Sequence, residues 1–189
     1  MAKVKILLEG YTSDDGKNTD DGNEKTCATI TLVQDEGINI VVDPGVLESQ
    51  QILKEALKKE GLEISDIDYV FLTHSHIDHY RNAGMFPEAK ILEFYGLWEN
   101  NSVEDLPEQV SKDVKIIKTP GHEKTSLTLL VKTEEGLVAV CGDVFWKEDF
   151  PENDPYADDP KKLLESRKKI KEIADWIVPG HSGMYKVKK

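Results

Sequence analysis

Short hydrophobic runs alternate along the chain with segments of helical periodicity. The runs are rich in β-branched residues and bounded by turn residues, which predicts β-strands. They cover residues 4–8, 28–34, 38–42, 69–73, 90–92, 114–117, 127–131, 137–141 and 176–178. Apolar residues recur at helical spacing after Ser49 and again after Pro160, which predicts two amphipathic helices. Strands that alternate with helices indicate an α/β chain.

The order of these elements repeats. In each half a predicted hairpin ends in an aspartate, Asp43 or Asp143. A helix and an apolar strand follow, and a histidine stands at the end of that strand, His74 or His181. Two similar halves would bring these polar groups to the same edge of packed sheets. The residue identity between the halves is too weak to demonstrate a duplication.

Length and composition narrow the class of protein. The 189 residues are 39% hydrophobic, which predicts one domain over residues 1–189 with a sizeable core. The formal net charge of -12 argues against a broad nucleic-acid-binding surface. No run approaches the roughly 20 apolar residues of a membrane span. Cys27 and Cys141 cannot form a disulfide framework, and the first residues contain no signal-peptide core, so we expect a cytoplasmic protein.

Two acidic segments, residues 9–25 and 149–160, contain the glycines and prolines typical of loops. The first has spaced glycines like a calcium loop. Setting Gly22 as the turn glycine puts Lys17 and Thr19 where carboxylate ligands should stand, so we reject that reading in favour of a solvated loop. Aromatic residues in or near these segments are candidates for substrate contacts, with ordinary packing as the alternative: Tyr11, Phe145, Trp146 and Tyr156.

Histidines and aspartates cluster where predicted strands end. Residues 73–79 read Thr-His-Ser-His-Ile-Asp-His, so four potential metal ligands stand within six residues: His74, His76, Asp78 and His79. His122, Asp143 and His181 each follow a strand and a tight break that contains glycine. All five histidines of the chain fall inside these motifs. Such a ligand set is typical of zinc-type sites, and it is too large for one ion.

The motif His-x-His-x-Asp-His, followed in order by His, Asp and His, resembles that of the metallo-β-lactamase superfamily, over nearly the whole chain. The short architecture is most similar to small metallo-β-lactamase-domain-containing proteins. The resemblance implies a four-layered αββα sandwich with the site at one edge of its two sheets. It also implies one metal ion on His74, His76 and His122, a second on Asp78, His79 and His181, and Asp143 bridging them. Asp43 would lie behind the site or simply begin a turn.

The resemblance implies a dinuclear metal-dependent hydrolase. Zinc is the expected metal, with iron or manganese as alternatives, and a hydroxide between the two ions would attack an ester, thioester, lactone or phosphodiester. Asp78 is the expected catalytic residue, which orients that hydroxide or handles its proton. Because two divalent ions outweigh Asp78 and Asp143, the site would stay electropositive and attract a small substrate with an anionic group.

Several branches of the superfamily fit the sequence less well. Asp143 stands where one lactamase subclass has cysteine, and Cys141 is expected in a buried strand, which disfavours a true β-lactamase. Glyoxalase II carries thioester-binding residues in a C-terminal extension, whereas little sequence follows His181. Glu123 stands after His122 in a turn where glycine is common, and His76 replaces the glutamate usual in flavodiiron proteins. A diiron oxygen-binding protein and a ribonuclease stay open as alternatives, as do the oligomeric state and the contribution of both loops to substrate binding.

Overall fold

The structure, a computed structural model, describes residues 1–13 and 24–188. Over these residues one sheet has the strand order β1 (Lys3–Leu8), β4 (Ile30–Asp35), β5 (Ile38–Val42), β6 (Tyr69–Phe71), β7 (Lys90–Glu93), β8 (Gly96–Glu99) and β9 (Ser102–Glu104). A second sheet has the order β10 (Gln109–Ser111), β11 (Val114–Lys118), β12 (Leu127–Thr133), β13 (Gly136–Gly142), β14 (Trp176–Pro179) and β15 (Tyr185–Lys186). A small ribbon pairs β2 (Tyr11–Thr12) with β3 (Thr26–Cys27). The helices are α1 (Gln50–Lys59), α2 (Ile77–Tyr80) and α3 (Pro160–Ile173), with 3-10 turns at Ile64–Asp66 and Ala83–Met85.

The main hydrophobic core lies between the two large sheets. Val33 and Phe71 from the first sheet are fully buried in the same cluster as Leu129 and Val140 from the second. Successive side chains of a strand point to opposite faces, so the neighbour of Val33, Leu32, packs on the outer face of the first sheet instead. Each sheet therefore has a second apolar face to cover.

Helices cover those outer faces. Leu53 and Leu57 of α1 pack in a cluster with Val41 of the first sheet. On the other side, Leu163 and Ile170 of α3 share a cluster with residues of β13 and β14. The side chains of Ser49 and Asp159 accept hydrogen bonds at the first turns of α1 and α3, which explains where the helices begin. The layers are thus helix, sheet, sheet and helix, which confirms the predicted αββα sandwich.

The repeated order of elements is present in the topology. The hairpin β4–β5 is followed by α1 and by β6, which pairs parallel to β5. The hairpin β12–β13 is followed by α3 and by β14, which pairs parallel to β13. The carboxyl ends of β5, β6, β13 and β14 therefore carry Asp43, His74, Asp143 and His181, respectively.

Some predicted boundaries were wrong. The strand predicted at residues 28–34 begins only at Ile30, and the one predicted at 69–73 ends at Phe71. The strands β8, β9 and β10 were not predicted because most of their side chains are exposed or half-buried, so they lack an apolar pattern.

The two segments predicted as loops, residues 9–25 and 149–160, differ in how much regular structure they contain. The first loop includes β2, while the glycines of the rejected calcium interpretation, Gly16 and Gly22, lie outside the described ranges together with Lys17 and Thr19. The second predicted loop, residues 149–160, is a loop as far as Asp159, with a bridge between Phe150 and Lys147, and Pro160 already belongs to α3. None of the helices in the described ranges is long and apolar enough to cross a membrane. One domain over residues 1–189 and a cytoplasmic location stay predictions.

Candidate metal centre

The predicted His and Asp residues converge at one edge of the two sheets. One group contains His74, His76, His122 and Asp143, and a second contains Asp78, His79 and His181. Within each group, one nitrogen or carboxylate oxygen per residue lies within 4.8 Å of the others. The structure thus brings together all seven residues that the sequence predicts, in two groups that could each hold a metal ion.

Asp143 lies between the two groups. Its Oδ2 is 3.5 Å from His122 Nε2 in the first group and 3.3 Å from His181 Nε2 in the second. Its Oδ1 is 3.4 Å from His79 Nε2. A Cβ at Gly180 would overlap the Asp143 carboxylate, so the turn before His181 needs glycine for this close approach.

Asp43 orients one histidine of each group. His79 Nδ1 donates to Asp43 Oδ2 at 2.8 Å, and Thr73 Oγ1 donates to the same oxygen at 2.6 Å. His74 Nδ1 in turn donates to Thr73 Oγ1 at 3.0 Å. These acceptors hold a proton on Nδ1 of both imidazoles, so Nε2 is the atom of each ring that faces the centre and can be offered to a metal ion. Asp43 has φ +46°, a left-handed conformation that aspartate tolerates, so it both turns the chain and supports the site.

Other contacts that hold the site were missed in the sequence. Asp154, with a fully buried side chain in the loop 149–160, accepts a hydrogen bond from His122 Nδ1 at 2.7 Å. His181 Nδ1 donates to the carbonyl oxygen of Cys27 at 3.1 Å. Thr26 Oγ1 donates to Asp78 Oδ2 at 2.8 Å. The sequence marks the loop as acidic but does not single out Asp154, and Thr26 lies in a strand too short to show a pattern.

His76 is oriented differently from the other histidines. Its Nδ1 faces His122 Nε2 at 3.0 Å, whereas its Nε2 lies 3.5 Å from Glu123 Oε1. Its side chain is 40% exposed, while those of the other four histidines are nearly or fully buried. His76 therefore lies at the open side of the site, beside a carboxylate.

The electrostatic surroundings favour positive charge at the centre. Burial lowers the pKa of the His74 imidazole well below its ordinary value, and His79 adds to this, so His74 is a neutral donor. Burial would also lower the pKa of His79, but the carboxylates of Asp143 and Asp43 outweigh it and raise that pKa well above the ordinary value. Burial opposes ionisation of Asp143, yet the His181 and His79 imidazoles hold its pKa well below the usual range. The same carboxylates would stabilise a bound metal cation at the centre.

Unpartnered polar atoms at the centre fit divalent ions. Among the described residues, His74 Nε2, His79 Nε2 and Asp143 Oδ1 are buried and make no well-aligned hydrogen bond, although the last two face each other at 3.4 Å. Buried donors and acceptors normally have partners, and an ion is one explanation when they do not. Imidazole and carboxylate ligands suit zinc, iron and manganese alike, so the residues fit divalent metals without selecting one.

A cavity of about 200 Å³ opens onto this centre. His76, Asp78, His122, Asp143 and His181 line it, together with Thr12, Glu24, Thr26, Trp146 and Tyr156. His74 and His79 are buried behind these residues.

Two of the four aromatic candidates for substrate contact border this cavity. The rings of Trp146 and Tyr156 are stacked, with their centroids 5.8 Å apart and an interplanar angle of 18°. Phe145 was a wrong candidate, because its side chain is buried in the core cluster beneath α3. Tyr11 is exposed and is not among the described lining residues. Cys141 is buried in β13 as expected, and burial raises the pKa of its thiol.

The αββα sandwich, the His/Asp groups at one sheet edge and relatives named as a metallo-hydrolase and a lactonase together identify a metal-dependent hydrolase, the class predicted from the sequence. A profile of the metallo-β-lactamase superfamily matches residues 28–100. Metallo-beta-lactamase domain-containing protein 1 of Xenopus laevis is 33% identical over 194 aligned residues, which cover 97% of this chain and 81% of that protein. The chain therefore belongs to the metallo-β-lactamase superfamily.

Lactone-cleaving enzymes are among the similar proteins. An N-acyl homoserine lactonase of Bacillus thuringiensis is 28% identical over 150 residues, covering 69% of this chain and 60% of the lactonase. A crystal structure of an N-acyl homoserine lactone hydrolase, with N-hexanoyl-L-homoserine at its catalytic metal centre, superposes with a TM-score of 0.70. That structure is 20% identical and the match covers 95% of this chain and 92% of the other, which shows a common fold.

Proposed function

We propose that this protein is a dinuclear metal-dependent hydrolase, with zinc as its metal, that cleaves a small uncharged ester such as a lactone. The observation that carries the proposal is the position of Asp143, whose two oxygens face histidines of both groups at the floor of a cavity. Two separate sets of donors on one carboxylate fit a pair of ions better than a single ion.

The residues of the two groups divide between the two ions in this proposal. His74, His76 and His122 hold the first ion, and Asp78, His79 and His181 hold the second. Asp143 contributes to both. When bound, such ions lower the pKa of a coordinated water towards 7 and polarise the oxygen of a substrate carbonyl.

Asp78 is the side chain of this chain that we propose for proton handling. It lines the cavity, and Thr26 Oγ1 donates to its Oδ2, which fixes the carboxylate at the substrate side. A carboxylate in this place can orient an attacking water and take its proton before passing it to the leaving oxygen. The described lining contains no serine or cysteine that could serve as a nucleophile instead.

The cavity lining favours an uncharged acyl substrate. Glu24, Asp78 and Asp143 line it, whereas no lysine or arginine does among the described residues. An anionic group in the substrate would thus depend on the ions alone for its binding. We therefore propose an uncharged substrate, where the sequence alone led us to expect an anionic group. The stacked rings of Trp146 and Tyr156 offer a flat apolar wall to the acyl part.

The lactonase relatives support a lactone as the first substrate to test. One lactone hydrolase of the same fold binds the product N-hexanoyl-L-homoserine at its metal centre. At about 200 Å³ the cavity is smaller than the roughly 300–1,000 Å³ of drug-sized sites, which favours compact substrates. A thioester is the next candidate, because it presents the same carbonyl group.

The test is a hydrolysis panel on zinc-, iron- and manganese-loaded protein. It compares lactones, linear esters, thioesters, β-lactams and phosphodiesters, including RNA, at matched metal content. We expect the zinc form to be colourless and to cleave lactones fastest. Glu88→Gln, an exposed substitution outside the cavity lining, should match the unmodified protein and serves as the control.

Two outcomes would contradict the proposal. Phosphodiester cleavage without ester cleavage would favour the ribonuclease alternative. A coloured iron form that responds to oxygen and hydrolyses none of the substrates would favour the diiron alternative.

A further inference from the structure

Glu123 occupies a central place beside the first group of histidines. Its Oε2 accepts three hydrogen bonds, from Ser75 N at 2.9 Å, Ser75 Oγ at 2.8 Å and Thr125 Oγ1 at 3.1 Å. The carboxylate therefore joins the segment that carries His74 and His76 to the turn after His122. With three donors on Oε2, the other oxygen, Oε1, is held in place 3.5 Å from His76 Nε2.

The charges around His76 decide where its proton sits. A carboxylate only accepts hydrogen bonds, so an Nε2 that faces Glu123 is favourable when it carries the proton and repulsive when it carries a lone pair. On the opposite side, His122 Nδ1 donates to Asp154, so a neutral His122 imidazole has its lone pair on Nε2. That lone pair faces His76 Nδ1 at 3.0 Å.

We propose that Glu123 is a positioning residue that fixes the proton of His76 on Nε2, so that Nδ1 is the atom offered to the metal. With the proton there, the lone pairs of His76 Nδ1 and His122 Nε2 converge on one point and repel each other unless a cation lies near them. Glu123 thus favours the arrangement of His76 that binds an ion. This inference rests on the proposed metal site but not on the reaction catalysed there.

The direct test is long-range ¹H–¹⁵N nuclear magnetic resonance of the zinc-loaded, ¹⁵N-labelled protein. We expect His76 to carry its proton on Nε2 and to show the shift of a metal ligand at Nδ1. A proton on Nδ1, or a zinc-shifted Nε2, would overturn the proposal even if the protein hydrolyses lactones. Conversely, the expected pattern in a protein that hydrolyses nothing would uphold this inference and refute the proposed function.

A pair of variants separates the effect on His76 from simple loop tethering. Glu123→Ala removes the carboxylate, whereas Ser75→Ala removes one tether and leaves the carboxylate beside His76. In competition with a chromophoric chelator, Glu123→Ala should weaken one zinc-binding step about 10- to 100-fold and spare the other, as loss of a ligand's supporting contact commonly does. Ser75→Ala should retain the His76 resonance pattern. If both variants weaken zinc binding equally and the His76 resonance pattern is unchanged in Glu123→Ala, then Glu123 only tethers the loop.

Discussion

Asp43 supports both groups of the metal centre, and Asp43→Asn removes its charge while keeping its shape. In the protein, Asp43 Oδ2 accepts from Thr73 Oγ1 and His79 Nδ1, and Oδ1 accepts from the backbone nitrogen of Thr73. Asparagine tolerates the φ of +46° and can keep the contact at Oδ1. Its amide NH₂ would face two buried donors in place of Oδ2. Each unsatisfied buried donor costs about 1–3 kcal/mol, and the Thr73 hydroxyl can rotate to recover part of that cost. We therefore expect Asp43→Asn to lower the free energy of unfolding by about 2–4 kcal/mol.

Urea unfolding of the metal-free protein measures this loss as a change in the free energy of unfolding. Asp68→Asn is the matched control, because Asp68 is exposed and its side chain accepts a hydrogen bond from Asn39 N that asparagine can also accept. The control should change the free energy by less than about 1 kcal/mol. An Asp43→Asn value no larger than that of the control would refute the role given to Asp43.

The same comparison has a pH dependence with a definite sign. The pKa of His79 is raised in the folded protein, with Asp43 among the causes that oppose burial. The stability that this gives is fully present below the unfolded value of about 6.5 and is lost as the pH rises through the folded pKa. The loss in Asp43→Asn should therefore be larger below about pH 6.5 than in alkaline solution. A loss that grows with rising pH would contradict this assignment.

The remaining predictions concern the metal and the substrate. Asp78→Ala should lower turnover about 10²- to 10⁴-fold in protein shown to be metal-replete, and unchanged turnover would exclude Asp78 from the chemistry. Asp154→Asn should weaken zinc binding about 10- to 100-fold in chelator competition, because His122 loses its acceptor, and an unaltered affinity would contradict that link. Tyr156→Ala should raise KM for an ester about 2- to 10-fold with little change in kcat, and Tyr156→Phe should not; equal effects would assign the contact to the hydroxyl group. When free zinc is at about 1,000 times its Kd, removing the zinc should lower the Tm of the protein by about 8–16 °C, and an unchanged Tm would argue against specific binding.

Local patterns predicted the α/β class and the position of the site residues at strand ends, whereas the αββα layers and the division of the seven residues into two groups came from the resemblance to the superfamily. The alternating apolar runs mark the buried strands, and glycine breaks such as the one before His181 mark where strands end at the site. Since β6 and β14 each pair parallel to the strand of the preceding hairpin, residues at their carboxyl ends meet at one edge.

The supporting contacts could not be predicted because they depend on tertiary proximity. Asp154 reaches His122 from a loop 32 positions away, and Glu123 reaches Ser75 across 48 positions. Neither residue differs in its local sequence from acids that point to solvent. Edge strands such as β9 have exposed side chains throughout, so hydrophobic periodicity carries no signal for them.

Zinc titration of the metal-free protein, followed by lactone hydrolysis, tests the central claim of a dinuclear hydrolase most directly. Activity should rise with added zinc and reach its plateau at two equivalents per chain, because both groups that meet at Asp143 must be filled. A plateau at one equivalent, or zinc binding at two equivalents without hydrolysis of any ester, would contradict the account.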